Sequence, residues 1–133
     1  KSFASLTHAL ITLAPQQLQI VIPDFHNLQY RFNQLEKAIT EATPIRLKKS
    51  SALLDDLLTR KHYVDFYEQV INDSCFPKRI MHHDCKLSNI LFNRETQEAI
   101  CPIDLDTLMP GYFFSDLGDM IRSMTPTVSE GII

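Results

Sequence analysis

The chain has 133 residues, of which 44% are hydrophobic and 22% charged, and a formal net charge of −3. That length suffices for one domain with a core, and the slightly acidic balance excludes bulk attraction to nucleic acid or to an anionic membrane. Cys75, Cys85 and Cys101 leave an odd thiol and show no Cys-x-x-Cys spacing, which argues against a disulfide framework or a structural zinc site and for a reducing compartment. No apolar run is long enough to cross a bilayer, so a cytoplasmic location is expected.

In chain order, "KSFASLTHALITLAP" sets Phe3, Leu6, Leu10 and Leu13 at helical spacing, with Thr7, His8 and Thr12 interrupting. This predicts an amphipathic helix over Ser2–Leu13, stopped by Pro15, rather than a signal peptide. An irregular connection, "QQLQIVIPDFHN", follows. Leu28, Phe32, Leu35 and Ile39 form one stripe and predict a helix over Leu28–Ala42, broken by Pro44. A long helical region is expected from Ile45 to Ile71 with an interruption near Lys61; its "RLKK" cluster reads as a solvated helix end. At Pro77 the texture changes to short apolar runs, "RIM", "NILF" and "AICPIDL", and "NRETQE" reads as a hairpin connection. After "MPG" a helix is predicted from Ser115 to about Met124, with Ser115 or Asp116 near its N-cap. The fold class is therefore α+β, mostly helical.

The chemistry concentrates in "RIMHHDCKLSNILFN". His82, His83, Asp84 and Cys85 are all metal-ligating types, but adjacent strand residues point to opposite faces. No His-x-His or H-E-x-x-H partner occurs elsewhere, so a metal-hydrolase site is disfavoured. A sparser unit makes better sense: Asp84 and Asn89 with Lys86 between them, then Asp104 and Asp106 in "PIDLDT" after the next strand. Carboxylates and an amide oxygen are hard ligands of the kind Mg2+ prefers, and the lysine suits negative charge, so Mg2+-bound nucleotide phosphate is the economical ligand. His82, Asp84 and Asn89, followed by Asp104, reproduce the spacing of the kinase signature H-R-D-L-x-x-x-N and its later metal-binding aspartate.

The segment "MHHDCKLSNILFNRETQEAICPIDLDTLMPGYFFSDLGDMIRS" resembles the aminoglycoside phosphotransferase/choline kinase superfamily, small-molecule kinases with a protein-kinase-like fold. Its "H-x-D-x-K-x-x-N" loop, "IDLDT-x-MPG" and "DLGDMIR", with the earlier "IPDFHN", are similar to the N-acetylhexosamine 1-kinases. The resemblance implies ATP and Mg2+ as cofactors and a small-molecule alcohol, a sugar phosphorylated at its anomeric hydroxyl, as substrate. It implies that Asp84 acts as base or orients the acceptor hydroxyl, and that Lys86 stabilises charge on the transferred phosphoryl group. Asn89 and Asp104 would hold Mg2+, with Asp106 a further metal candidate. His82 would brace the loop, and Asp116 would cap the loop backbone. His83, Asp24, His26, Asn27 and Arg122 are candidates for the acceptor side, although a local pair of Asp119 with Arg122 is preferred.

The resemblance also frames what is missing. With Gly111, Gly118 and Gly131 as the only glycines, no G-x-G-x-x-G loop exists, and no strand carries a V-A-I-K-like lysine. The expectation is a single domain, the C-terminal lobe of a larger kinase, without the N-terminal lobe that clamps ATP and inactive alone. It divides into a helical part (1–76), a catalytic loop and β-hairpin (77–106), and a following loop, helix and tail (107–133). The alternatives are a kinase of another alcohol, aminoglycoside or choline-like, and a catalytically silent binding module. A sulfatase reading of "CFPKR", Cys75 to Arg79, is disfavoured because bulky Phe76 and Lys78 stand where small residues are usual.

Overall fold

The computed structural model describes residues 1–125. Among them run α1 (Ser2–Ala9), α2 (Leu28–Glu41), α3 (Pro44–Thr59), α4 (His62–Ile71), β1 (Arg79–Met81), β2 (Ile90–Phe92), β3 (Ala99–Pro102), β4 (Met109–Gly111) and α5 (Phe113–Met124). Short 3-10 turns occupy Pro15–Gln17, Leu87–Asn89 and Leu105–Thr107. The class is α+β and mostly helical. No helix among the described residues is long and apolar enough to cross a membrane. The tail expected after α5 lies outside the described residues.

Two compact units form. One comprises residues 24–76. Its first helix, α2, starts where Asn27 Oδ1 accepts the N–H of Tyr30 at 3.0 Å, an N-cap that satisfies a donor the helix leaves open. Pro44 opens α3 at a first-turn position, where its missing N–H costs nothing. The interruption expected near Lys61 falls between Thr59 and His62. There Lys61 pairs with Glu36 at 3.0 Å and lies over the Phe32 ring. Phe32 of α2 and Val64 of α4 are the buried apolar side chains of this unit, whereas α3 buries none. A groove of about 400 Å³ runs along α2 and α3, lined in part by Leu35, Ile39, Leu47 and Leu54. It contains none of the candidate site residues.

The other unit joins residues 1–23 to the chain from residue 77 onward. Its core holds Phe3, Ile80, Met81, Cys85 and Met109. Helix α1 packs against β3 and is shorter than expected. The chain leaves the helix after Ala9, because Ile11 and Leu13 stay exposed and no burial favours continuing it. Residues 1–23, grouped in the sequence with the helices that follow them, thus pack with the strands. Strands β2 and β3 form the expected hairpin, Ile90 opposite Pro102 and Leu91 opposite Cys101. Its connection is tied by Asn93, whose Oδ1 accepts the N–H groups of Glu95 and Thr96.

Strand β4 lies within the stretch expected to be the loop after the hairpin. It pairs antiparallel with β1, Arg79 opposite Gly111 and Met81 opposite Met109. A proline is tolerated because each strand of a two-stranded sheet is an edge, so Pro110 can turn its N outward. Helix α5 also differs from expectation. It begins at Phe113 with Tyr112 as N-cap, and Asp116 lies inside its first turn.

Candidate active site

The loop from His82 to Asn89 connects β1 to β2, and partners within the second unit tie it down. Asp116, buried in the first turn of α5, accepts the N–H of His82 at Oδ2 (3.0 Å) and of His83 at Oδ1 (2.8 Å). A buried carboxylate is costly unless hydrogen-bonded, and two aligned backbone donors meet that need. The same carboxylate acts on Cys85. Burial pushes that thiol far above its ordinary range, and the charge and hydrogen bond of Asp116 push it further. Cys85 is therefore a neutral core residue, not a nucleophile or metal ligand.

His82 is fully buried. Its ring meets Phe3 edge-on at 5.1 Å. Its Nδ1 accepts the N–H of Asp84 at 3.3 Å, which leaves Nε2 as donor to the carbonyl of Ile103 at 2.9 Å. The two bonds together require the tautomer with its proton on Nε2. The His82 carbonyl in turn accepts the Thr107 hydroxyl at 2.6 Å. On the other face, the N–H of Ile103 donates to the carbonyl of Asn89 at 2.9 Å. Ile103 is thus gripped through both its N–H and its carbonyl by the loop, and Asp104 follows directly from that anchored residue.

Asp84, Lys86 and Asn89 converge. Lys86 Nζ lies 2.6 Å from Asp84 Oδ2, and Asn89 Nδ2 donates to the same oxygen at 2.9 Å and to the Asp84 carbonyl at 3.0 Å. Burial alone would raise the Asp84 carboxyl. The hydrogen bonds from Lys86 and Asn89, with the charge of Lys86, outweigh burial and hold it below the ordinary aspartate range. Asp84 Oδ1 has no protein donor among the described residues and is the oxygen open to a ligand. The Asn89 amide nitrogen is committed to Asp84, so its oxygen is the atom left for a cation.

Asp104 sits in the left-handed region (φ 63°) and is exposed at the head of the Leu105–Thr107 turn. Aspartate tolerates this conformation better than most side chains. Asn89 and Asp104 therefore offer two hard oxygens, held close in the chain path by the Asn89–Ile103 backbone bond. Mg2+ commonly takes only one or two carboxylates from protein and completes its shell with water and phosphate oxygen, so these donors fit a nucleotide-bound Mg2+. Asp106 is exposed in the same turn, two residues further on.

The candidates for the acceptor side fall at several places in the chain. His83, also at positive φ (67°), is buried. Its ring lies against Gly111, and its Nε2 is 3.2 Å from the Met109 carbonyl. It fastens the loop to β4 rather than facing outward, because the left-handed backbone turns the side chain inward. Asn27 and Asp24 are bonded to each other at 2.8 Å in the approach to α2, where Asn27 is the cap. His26 is half-buried there against the Phe25 ring. These three lie in the 24–76 unit. Arg122 places its guanidinium on Asp119 at 3.0 Å, the local pair. Cys75 of "CFPKR" is exposed in the loop before β1, its N–H donating to Asp73.

The hydroxyls of Thr107 and Ser123, both bonded to the loop backbone, went unnoticed in the sequence. Lone Ser and Thr residues carry no signal until the backbone they bind is placed.

One loop thus gathers an aspartate, a lysine and an asparagine, and a further aspartate follows shortly after β3. The model of the phosphotransferase enzyme family (APH) matches residues 8–132. The chain belongs to this family, and so to the kinase-type phosphotransferases.

Proposed function

We propose that the chain carries the catalytic lobe of an ATP-dependent kinase that phosphorylates an N-acetylhexosamine on its anomeric hydroxyl. The observation that carries the catalytic assignment is the shared oxygen: Lys86 and Asn89 both bind Asp84 Oδ2, leaving Oδ1 open. The choice of sugar follows from the resemblance of "IDLDT-x-MPG", "DLGDMIR" and "IPDFHN" to hexosamine kinases. ATP-clamping groups belong to a further, N-terminal lobe in this reading.

The mechanism follows from the residues. Asp84 Oδ1 accepts a hydrogen bond from the acceptor hydroxyl and points its oxygen along the line of attack. A carboxylate held below its ordinary pKa is a weak base, so Asp84 orients the hydroxyl first. It takes the proton late, once the oxygen has begun to bond phosphorus and become acidic. Lys86 holds the carboxylate in place and puts a positive charge beside the equatorial oxygens of the moving group. Asn89 and Asp104 would hold a magnesium ion brought with ATP, which when bound would supply the phosphoryl group and a counter-charge to its phosphates, with ADP as the leaving group. His82 keeps the two loops in register without touching the reacting atoms.

The test assays the full-length protein with Mg-ATP against N-acetylhexosamines, aminoglycosides and choline, with phosphorus NMR to place the new phosphate. An anomeric phosphate on an N-acetylhexosamine is expected, and Asp84→Asn should lower kcat by roughly 10²–10⁴-fold. A phosphorylated aminoglycoside or choline would move the acceptor assignment. Failure of every acceptor to consume ATP would favour a silent binding module, and undiminished activity of Asp84→Asn would remove the residue from the mechanism.

A further inference from the structure

Helix α5 meets the catalytic loop at two places. In its first turn Asp116 holds the backbone at His82 and His83. Further along the helix the Ser123 hydroxyl accepts the N–H of Leu87 at 2.8 Å. Seven positions correspond to about two helical turns, so Asp116 and Ser123 lie on one side of α5 and grip the two ends of the segment that carries Asp84 and Lys86.

The second grip has a specific geometric effect. The peptide joining Lys86 to Leu87 is bound on both edges: its carbonyl accepts the N–H of Asn89 at 3.0 Å, and its N–H goes to Ser123. A peptide unit is planar and rigid. Fixing both edges sets the direction in which the chain leaves Lys86 and enters the turn that carries Asn89. Those are the two residues whose side chains converge on Asp84 Oδ2. We propose that Ser123 is a positioning residue, acting through the Lys86–Leu87 peptide to hold Lys86 and Asn89 on Asp84. The kinetic part of this inference rests on the phosphotransfer reading above; the structural part does not.

The bond is exposed, so water replaces it readily and its loss costs little global stability. Its loss lets the peptide rotate, and small misplacements of catalytic groups are expensive in rate. Ser123→Ala and Ser123→Thr are compared with wild type in the full-length protein. Three quantities are read: hydrogen exchange at the Leu87 amide, kcat and KM for Mg-ATP, and melting temperature. In Ser123→Ala the Leu87 amide should exchange at least tenfold faster. Its kcat should fall by roughly 10- to 100-fold, with KM for Mg-ATP little changed and melting within a few degrees of wild type. Ser123→Thr keeps the hydroxyl and should restore both exchange and kcat. Unchanged Leu87 exchange in Ser123→Ala overturns the proposal, as does equal impairment by threonine, or a loss of kcat that merely follows a lowered melting temperature. If wild type consumes no ATP with any acceptor, the phosphotransfer reading falls and the Leu87 exchange comparison decides the latch alone.

Discussion

Asp84 carries opposing influences in one carboxyl. Burial favours its neutral form, while the Lys86 and Asn89 bonds favour the charged form and prevail. Because the folded value lies below the unfolded one, the contribution of this carboxylate to stability is present above the ordinary aspartate range. It is lost as pH falls through the depressed folded value. Lys86→Met removes the leading stabiliser of the charge and leaves burial less opposed, so the Asp84 carboxyl should titrate at higher pH. Carbon-detected NMR titration reads this directly, and an unmoved or lowered midpoint would show that the ion pair does not govern the group. A second residue-scale prediction concerns Gly111. A Cβ built there would stand 2.2 Å from His83 Cε1 and 2.5 Å from Nε2. The buried ring must shift to admit the methyl group, so Gly111→Ala should destabilise by about 1–3 kcal/mol in urea unfolding. Gly118, where an added Cβ meets nothing within 4 Å, supplies the control: Gly118→Ala lies in the helix α5 and should not destabilise.

At the scale of elements, the β2–β3 hairpin contains a removable strain. Gln97 closes its connection at φ 58°, a conformation that costs a non-glycine residue about 1–2 kcal/mol. Gln97→Gly should therefore stabilise the protein by up to about 1 kcal/mol, the gain reduced by the greater freedom of glycine in the unfolded chain. A midpoint that moves down in denaturant would contradict this account.

Which elements were legible depended on where their determinants lie. The stripe Leu28, Phe32, Leu35, Ile39 is local and marked α2 to within a residue, and "NRETQE" marked the hairpin. Strand β4 was not legible, because Pro110 signals a turn and only the distant partner Arg79–Met81 makes Met109–Gly111 a strand. The helical period through Leu10 and Leu13 overstated α1, since periodicity says nothing about whether a neighbour will cover the stripe. At the site, the spacing of Asp84, Lys86 and Asn89 placed three side chains on one loop from sequence alone. The inward turn of His83 was hidden, because it depends on a positive φ and on the bare surface of Gly111. The N-cap role of Asn27 was readable from its position before an apolar stripe.

At the scale of the whole molecule, the unit that holds the His82–Asn89 loop is assembled from two stretches far apart in sequence. Phe3, 4% exposed, packs edge-on against His82, the residue that ties the Asp84 loop to Ile103. Truncation there should reach the site from a helix that contributes nothing chemical. Phe3→Ala is expected to cost about 3–5 kcal/mol by calorimetry or denaturant and to loosen the His82 ring, seen as altered imidazole NMR signals. A cost below about 1 kcal/mol would mean that α1 is not part of this core.

The split also imposes a schedule on biosynthesis. Helix α1 leaves the ribosome before β3 and His82, against which it packs, exist, and all of residues 24–76 must be translated before β1 and His82 appear. At ~5–20 residues per second this is a wait of roughly 3–10 s, during which the intervening helices have ample time to form from contacts of their own. Phe3 meanwhile presents an apolar face to the crowded exit site. The interval between making α1 and making His82 is thus one in which the uncovered helix is open to capture by a chaperone.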